Sequence, residues 1–214
     1  MLPFKTYLFD MDGTLVDHFD AIHRAHTYTM HQLGLPAPTL AQVRAAVGGG
    51  VEKAVERLVG PRLKAAALAI YRPYWDRTML EDVKLLPGAH ELLAKLLAQG
   101  ATLGVLSNKH GPSSRLICDR LGLTPLLRGV FGATDTPWLK PQLEFTQYAL
   151  NTLGAEAATA VLVGDSPYDV ETAKVAGFPS WCVTTGTHDA AQLTAAGATK
   201  VFPGFPAMIQ DLGL

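Results

Sequence analysis

The hydrophobic pattern divides the chain into a helical part near its beginning and a longer part in which strands and helices alternate. A short apolar run at 7–9 is typical of a buried strand, and a helical periodicity follows it. Helical patterns also cover 40–47, 51–58 and 61–74, so we predict that 16–82 is helical throughout. In the first helical segment, residues recur at spacings of three and four until Gly34 ends the pattern: Phe19, Ile22, His26, Met30 and Leu33.

Beyond residue 82, apolar strand patterns alternate with single helical patterns. Strands are predicted at 102–106, 129–133, 159–163, 180–183 and 200–202, and helices at 88–99, 112–121, 142–153 and 167–176. Such alternation predicts an α/β fold with a doubly wound parallel sheet. Because the strand at 7–9 is cut off from this series, we predict a Rossmann-like core of 1–15 and 83–214. The inserted segment, 16–82, would form a helical cap over the crevice at the end of the first strand.

Composition narrows the possible functions. Hydrophobic residues make up 48% of the 214 residues, and 18 basic side chains balance 19 acidic ones to a net charge of −1. This balance argues against a nucleic-acid or membrane-surface partner. The two cysteines, Cys118 and Cys182, lack metal-type spacing and are interpreted as reduced thiols. With no signal peptide or spanning run visible, we expect a cytoplasmic protein, either a monomer or a homodimer.

Acidic residues follow two of the predicted strands directly. Asp10 and Asp12 come after the strand at 7–9, and Gly13 permits a sharp turn there. Asp165 and Asp169 come after the strand at 159–163. Surface acids in polar turns would be the simplest explanation. However, anions converging in one crevice repel each other, which indicates a metal or a functional need. Oxygen-only ligands select a hard ion, Mg²⁺ before Ca²⁺.

Two further segments carry phosphate-binding chemistry. Ser107 and Asn108 follow the strand at 102–106, where a hydroxyl and free N–H groups can hold a phosphate, although Ser-Asn is also ordinary turn chemistry. Lys140 precedes Pro141, which favours an extended backbone at the lysine. Its ammonium could neutralise a carboxylate and a phosphoryl oxygen together. A solvated surface lysine is the alternative.

The four segments, in this order, resemble the motifs of the haloacid dehalogenase-like superfamily in its aspartyl phosphatase branch. They read Asp-Met-Asp-Gly-Thr, Ser-Asn-Lys, Lys-Pro and Gly-Asp-Ser-Pro-Tyr-Asp. The resemblance implies that Asp10 is the nucleophile and Asp12 the general acid and base. It also implies that Ser107, Asn108 and Lys140 bind the phosphoryl group. Mg²⁺ would be held by Asp10, the Asp12 carbonyl and Asp165, with Asp169 as a further ligand or as a residue that orients one. Leu143 stands where the family often has a second proline.

The segment 43–51 in the predicted cap resembles the Val-Gly-x-Gly segment of phosphoglycolate phosphatases. Its run of Gly48, Gly49 and Gly50 fits a substrate-facing loop, although a flexible linker is an alternative. Arg44 and Lys53 are the nearest charged candidates for an acidic substrate. His18, close to the first acidic motif, is a further candidate to face the substrate.

The sequence therefore predicts a Mg²⁺-dependent phosphomonoester hydrolase acting on a small phosphorylated metabolite, with phosphoglycolate as first choice. A sugar-phosphate mutase like β-phosphoglucomutase is an alternative, with His18 or His23 as its cap histidine. Nucleotidase or pyrophosphatase activity also stays open. The acid at Asp12 argues against a phosphonatase. A non-enzymatic phosphoryl-binding module would require a broken motif, and all four are intact.

Overall fold

The computed structural model describes residues 2–214, and these contain eight strands and ten α-helices. Residue 1, which the predicted core range includes, lies outside the described residues. The strands are β1 (Thr6–Phe9), β2 (Val16–Asp17), β3 (Lys84–Leu85), β4 (Thr102–His110), β5 (Gly129–Ala133), β6 (Ala160–Gly164), β7 (Ser180–Val183) and β8 (Lys200–Phe202). The helices are α1 (Phe19–Gln32), α2 (Leu40–Ala46), α3 (Val51–Val59), α4 (Lys64–Thr78), α5 (Ala89–Ala98), α6 (Gly111–Arg120), α7 (Leu143–Leu153), α8 (Pro167–Ala176), α9 (Ala190–Ala196) and α10 (Phe205–Asp211).

The main sheet has six parallel strands in the order β5-β4-β1-β6-β7-β8. The chain winds outward from β1 in both directions, so the strand order reverses next to β1. A crevice forms at such a reversal beyond the carboxyl ends of the strands, and ligands bind there in open α/β sheets. The predicted doubly wound parallel sheet is confirmed.

Helices cover both faces of this sheet. Tyr7 and Phe9 of β1 pack on one face with the buried sides of α5, α6 and α10, whereas Leu8 packs on the other with α7 and α8. Because successive side chains of a strand point to opposite faces, a strand covered on both sides must be apolar throughout. This explains the uninterrupted apolar run that ends just before Asp10.

The helices α1 to α4 have an apolar cluster of their own. Ala21, Ile22 and Ala25 of α1 pack with Val43 of α2 and with three residues at the end of the segment: Tyr71, Trp75 and Met79. None of the six strands of the main sheet comes from this segment within residues 2–214.

Two sequence predictions were wrong at this level. Val16 and Asp17, predicted as helical, form β2 and pair antiparallel with Leu85 and Lys84 of β3. So short a pair carries no periodicity of its own and depends on a partner distant in sequence. The strand predicted at 102–106 continues to His110 despite its polar residues, with an irregular pairing to β5 after Leu106. The segment from Ser107 to Lys109 thus lies within the strand rather than after it.

The helices α9 and α10 had no sequence prediction. Each has only seven residues, and α9 begins at a capping box formed by Asp189 and Gln192. Across residues 2–214, every helix is too short or too polar to span a bilayer.

Candidate active site

Asp10 lies directly beyond β1, at the point where the strand order reverses. Its backbone N–H donates to the Val163 carbonyl on the neighbouring strand at 2.9 Å, which fixes it against β6. Its Oδ1 lies 3.0 Å from Nζ of Lys140. Burial raises the pKa of the Asp10 carboxyl, Lys140 lowers it, and the nearby charge of Asp169 raises it again, with a net upward shift. Lys140 therefore offsets only part of the cost of burying a negative charge on Asp10.

Lys140 joins two of the acidic motifs. Its buried ammonium lies between Asp10 and Asp169, at 2.7 Å from Oδ1 of the latter. Burial would lower the pKa of this amine, but the two carboxylates outweigh the burial and raise it. The alternative of a solvated surface lysine does not describe Lys140, because its side chain is buried.

The beginning of α8 fixes the second pair of acids. Oδ2 of Asp169 accepts hydrogen bonds from the backbone N–H groups of Asp165 (3.2 Å) and Ser166 (3.1 Å) and from the Ser166 hydroxyl (2.7 Å). Asp165 in turn accepts from the Thr187 N–H at 2.8 Å and from Thr14 at 3.3 Å. Burial, followed by the charges of Asp169 and Asp10, raises the pKa of Asp165 to about 8.

Three of these carboxylates fit a divalent cation. Asp10, Asp165 and Asp169 are buried, and each offers one oxygen within 4.8 Å of the others. The single ammonium of Lys140 does not balance the negative charge of three carboxylates. The remaining negative charge contributes to the raised pKa of Asp165. An all-oxygen donor set suits a hard ion such as Mg²⁺. The side chain of Asp12 is not part of this cluster, so only its backbone carbonyl is left for the predicted ligand role.

Asp12 has a different set of neighbours. Both of its oxygens accept from Nζ of Lys109, at 3.0 and 2.8 Å, and Nδ1 of His18 lies 3.6 Å from Oδ1. Burial would raise the pKa of this carboxyl, but Lys109 and His18 outweigh the burial and hold it well below its usual range. Asp12 is therefore a carboxylate in this arrangement. Lys109 belongs to the second motif, but its sequence position alone did not indicate this pairing.

His18 does not face the cavity, and this corrects the sequence prediction. Its side chain is buried, Nε2 lies 2.6 Å from the Met79 carbonyl, and the ring packs against Trp75 at 4.9 Å between centroids. Burial is the main cause of a lowered pKa for His18. The other ring nitrogen, Nδ1, lies next to Asp12. His23, by contrast, bonds the Pro38 carbonyl at 2.8 Å.

Ser107 and Asn108 line the cavity beside Asp10. The Ser107 hydroxyl lowers the pKa of Asp10 through a hydrogen bond. The Asn108 side chain is used structurally: its amide donates to the carbonyls of Gly48 and Lys140, each at 3.1 Å, and its oxygen accepts from the Lys140 N–H at 2.8 Å. Asn108 thus connects the glycine run to the lysine of the site.

A cavity of about 670 Å³ opens above these groups between the sheet and the helices α1 to α4. Gly48, Gly49, Gly50 and Lys53 line it together with Asp10, Asp12, Ser107, Asn108 and Asp165. Arg44 does not, because its guanidinium donates to the Gly186 carbonyl at 3.2 Å and lies 4.2 Å from the Phe19 ring centroid. The prediction that Arg44 faces an acidic substrate is therefore wrong, since that side chain spans from α2 to the core.

The glycine run packs on Tyr168 of the fourth motif. A Cβ added at Gly48 would lie 3.2 Å from Cδ2 of this ring, and one at Gly49 would lie 2.9 Å from its hydroxyl oxygen. The same hydroxyl accepts from Nη2 of Arg57 at 3.0 Å. Close contact with the core, rather than loop freedom alone, thus explains the absence of side chains at these two positions. The Tyr168–Arg57 contact had no sequence signal, because it joins segments far apart in the chain.

Comparison with known proteins identifies the family of this chain. Residues 7–183 match the family model described as haloacid dehalogenase-like hydrolase. A probable phosphatase, IndB, of Dickeya dadantii is 32% identical over 208 residues, covering 94% of this chain and 90% of the relative. A phosphoglycolate phosphatase of Rhodospirillum rubrum is 32% identical over 220 residues, covering 98% and 91%. The crystal structure of a predicted phosphoglycolate phosphatase from Haemophilus somnus superposes with a TM-score of 0.90 at 24% identity, covering 99% of each chain.

Proposed function

Because the chain belongs to the haloacid dehalogenase-like hydrolase family and its relatives are phosphatases, we propose that it hydrolyses phosphomonoesters through an aspartyl-phosphate on Asp10. The observation that carries the proposal is the cluster beyond β1, in which Asp10 shares the ammonium of Lys140 with Asp169. A buried carboxylate that lines the cavity is suited to nucleophilic attack. The fixed cation beside it offsets charge as the phosphoryl group arrives.

The first step transfers the phosphoryl group to the enzyme. A carboxylate oxygen of Asp10 attacks phosphorus, the bond to the ester oxygen breaks, and Asp12 delivers a proton to the departing alcohol. Lys140 and the Ser107 hydroxyl are close enough to Asp10 to contact the transferred oxygens. Asp12 begins as a carboxylate beside Lys109, so it must take up this proton when the substrate's own charge enters the cavity.

The second step returns the enzyme to its starting state. Asp12, now a carboxylate, removes a proton from water as the water attacks phosphorus, and the Asp10–phosphoryl bond breaks to release phosphate. Asp12 is suited to both steps because Lys109 and His18 hold its side chain apart from the Asp10 cluster.

We propose Mg²⁺ as the cofactor of this site. Asp10, Asp165 and Asp169, with the backbone carbonyl of Asp12, would hold the ion, and support comes from the close approach of the three buried carboxylates. When bound, Mg²⁺ supplies positive charge next to the nucleophile and the phosphoryl oxygens.

The proposed substrate is a small phosphorylated acid, with phosphoglycolate as first candidate. The phosphoglycolate phosphatases among the relatives support this choice, as does Lys53, which lines the cavity without forming an ion pair with any described residue. We also propose that 16–82 acts as a helical cap over the core, because α1 to α4 share their own apolar cluster. Residues 48–53 would then contribute to substrate selection.

One observation favours a second candidate, a sugar-phosphate mutase. Such an enzyme needs a histidine that exchanges a proton with the acid–base aspartate, and Nδ1 of His18 lies 3.6 Å from Asp12. His23 makes its contact elsewhere and does not support this candidate.

A substrate panel with Mg²⁺ tests the proposal and separates the candidates. The panel contains phosphoglycolate, β-glucose 1-phosphate, a nucleotide and pyrophosphate, each assayed with and without excess chelator. We expect Mg²⁺-dependent release of phosphate, fastest from phosphoglycolate. Formation of glucose 6-phosphate without phosphate release would favour the mutase. Phosphate release unaffected by chelator would contradict the proposed cofactor.

A further inference from the structure

Lys109 lies inside the cavity, and the proposed phosphoryl chemistry gives it no partner on the substrate. Its Nζ is 2.8 and 3.0 Å from the two oxygens of Asp12, and its side chain is 8% exposed. The Trp75 ring covers another side of the ammonium, with 4.5 Å between Nζ and the ring centroid. Such a cation–π contact holds an ammonium in place at little cost in hydration when the site is already dry.

The other cations that line the cavity have different partners. Lys140 does not line the cavity and is buried between Asp10 and Asp169. Lys64 lies 2.8 Å from Glu56, and Arg72 lies 3.0 Å from Glu52. Lys53 lies on the cap side, 5.7 Å from the centroid of the Tyr168 ring. Lys109 alone among these cations bonds the residue that must touch the leaving oxygen.

This position places a cation next to the leaving group. A general acid must come within about 2.6–3.2 Å of the oxygen that it protonates. Lys109 is within hydrogen-bond distance of that same acid, so a group attached next to the ester oxygen comes within reach of its ammonium. An ammonium has three N–H donors, and Asp12 takes two of them. The third is free to bind an anion from the substrate.

We propose that Lys109 is a specificity-determining residue that binds an anionic group on the leaving alcohol, next to the ester oxygen. The matching substrates are phosphate esters of short 2-hydroxy acids, in which a carboxylate lies on the carbon that bears the ester oxygen. This inference rests on the proposed function and adds a core residue to Lys53 in the recognition of the acid. Pyrophosphate would bring a second phosphoryl group to the same position, and the experiment separates the two sources.

The test compares substrates that differ only in the anion. Wild-type protein, Lys109→Gln and Lys109→Arg are assayed with Mg²⁺ on 2-phosphoglycolate, on ethyl phosphate, which has the same length without the carboxylate, and on pyrophosphate. Lys95→Gln is the matched control, because Lys95 forms an ion pair with Glu91 on α5, outside the cavity. Circular dichroism checks that each variant is folded.

We expect Lys109→Gln to lower kcat/KM for 2-phosphoglycolate relative to ethyl phosphate by roughly 10- to 100-fold, the value of one charge-assisted contact. The readout is the ratio of the two kcat/KM values, because the loss of the ammonium beside Asp12 slows the hydrolysis of every substrate. Lys109→Arg should recover part of the ratio, and Lys95→Gln should leave it unchanged. If Lys109→Gln lowers kcat/KM selectively for pyrophosphate and not for 2-phosphoglycolate, the bound anion is a phosphoryl group. The assignment to hydroxy acids is then overturned. An equal loss on all three substrates would show that Lys109 acts only on Asp12.

A binding measurement decides the inference independently of turnover. Calorimetry compares 3-phosphonopropionate, a non-hydrolysable analogue of phosphoglycolate, with propylphosphonate, which lacks the carboxylate. The wild-type protein should bind the first more tightly by roughly 10-fold or more, and Lys109→Gln should remove the difference. Equal binding of both by the wild-type protein would overturn the role of Lys109. Protein that makes this distinction but hydrolyses no ester would contradict the proposed function and not the inference.

Discussion

The two walls of the cavity differ in how firmly their charges are held. On the core side, Asp10, Lys140 and Asp169 are buried and joined by contacts of 2.7–3.0 Å, and backbone N–H groups fix Asp169. On the side of α3 and α4, which belong to the proposed cap, the pairs of Arg72 and Lys64 with Glu52 and Glu56 are partly solvent-exposed. Surface pairs of this kind contribute about 0–1 kcal/mol and rearrange easily. The difference suggests fixed chemistry on one wall and adjustable selection on the other.

The largest effect is expected from removing the proposed nucleophile. Asp10→Ala should lower kcat by roughly 10³- to 10⁶-fold for every substrate, because the covalent step loses its attacking oxygen. Asp10→Asn should behave similarly at early times and recover only if the amide hydrolyses. Steady-state phosphate release measures both variants.

Asp119→Asn is the matched control, because Asp119 is an exposed carboxylate on α6 outside the cavity lining. It should keep wild-type activity. Full turnover by Asp10→Ala would show that Asp10 is not the nucleophile.

The second prediction concerns the charge of the metal-free cluster. The ordinary pKa of an aspartate side chain is 3.8, whereas burial and the neighbouring carboxylates raise the pKa of Asp165 to about 8 in the folded protein. The folded state therefore binds this proton more tightly than the unfolded state, so its stabilising contribution is present at low pH and is lost as the pH rises through that window. The buried His18 and His26 have lowered pKa values and add stability as the pH rises only up to about 6.5, so the test lies above that pH. In chelator, Tm should fall by a few degrees from about pH 6.5 to about pH 8, since 1 kcal/mol corresponds to about 2–4 °C in a chain of this size.

Asp165→Asn should show a weaker fall over the same range, and Mg²⁺ should raise the Tm of the wild-type protein most at the alkaline end. Thermal melts followed by circular dichroism make the comparison. If the Tm of the metal-free protein rises with pH over this range, the raised pKa of Asp165 is contradicted.

A smaller effect is expected on the cap wall. Lys53→Gln should lower kcat/KM for phosphoglycolate by about ten-fold, at the lower end for a charged contact because the side chain is exposed. A neutral aryl phosphate should be nearly unaffected. Arg44→Gln serves as the contrast, because its contact with the Gly186 carbonyl should make any loss equal for both substrates. Substrate-selective loss in Arg44→Gln, with none in Lys53→Gln, would reverse these assignments.

The smallest predicted change tests the contact between the walls. Tyr168→Phe removes only the hydroxyl that accepts from Arg57, so the loss should be about 0.5–1.5 kcal/mol, or roughly 2- to 10-fold in kcat/KM. All substrates should be affected alike, because Tyr168 and Arg57 lie outside the cavity lining. Arg57→Gln combined with Tyr168→Phe should cost no more than the larger single change. Additive losses would mean that the two side chains act separately.

The core wall was predictable from the sequence and the cap wall was not, for a physical reason. Asp10, Asp165 and Lys140 follow directly from the chain leaving a buried strand or approaching a proline, and parallel strands bring their carboxyl ends to one edge. In the cap, a helical pattern indicates which face is apolar but not which charged residue faces the cavity. Lys53 lines the cavity, whereas Arg44, nine residues earlier, contacts the core.

His18 and Lys109 illustrate the same limit at the boundary between the walls. His18 is close in sequence to the first motif and contacts Asp12, yet its burial against Trp75 depends on a helix far along the chain. Lys109 was visible as part of a motif. Its pairing with Asp12 depends on β4 continuing to His110, which the polar sequence did not predict.

Trapping the covalent intermediate tests the central claim, that phosphoryl transfer occurs on Asp10, most directly. Asp12→Ala keeps the nucleophile but lacks the base for the hydrolysis step, so it should accumulate the intermediate when given a reactive aryl phosphate and Mg²⁺. Rapid acid quench followed by peptide mass spectrometry should find a phosphoryl group on Asp10, and none in the Asp10→Asn, Asp12→Ala double variant. A phosphoryl group on another residue, or turnover with no adduct on Asp10, would contradict the account.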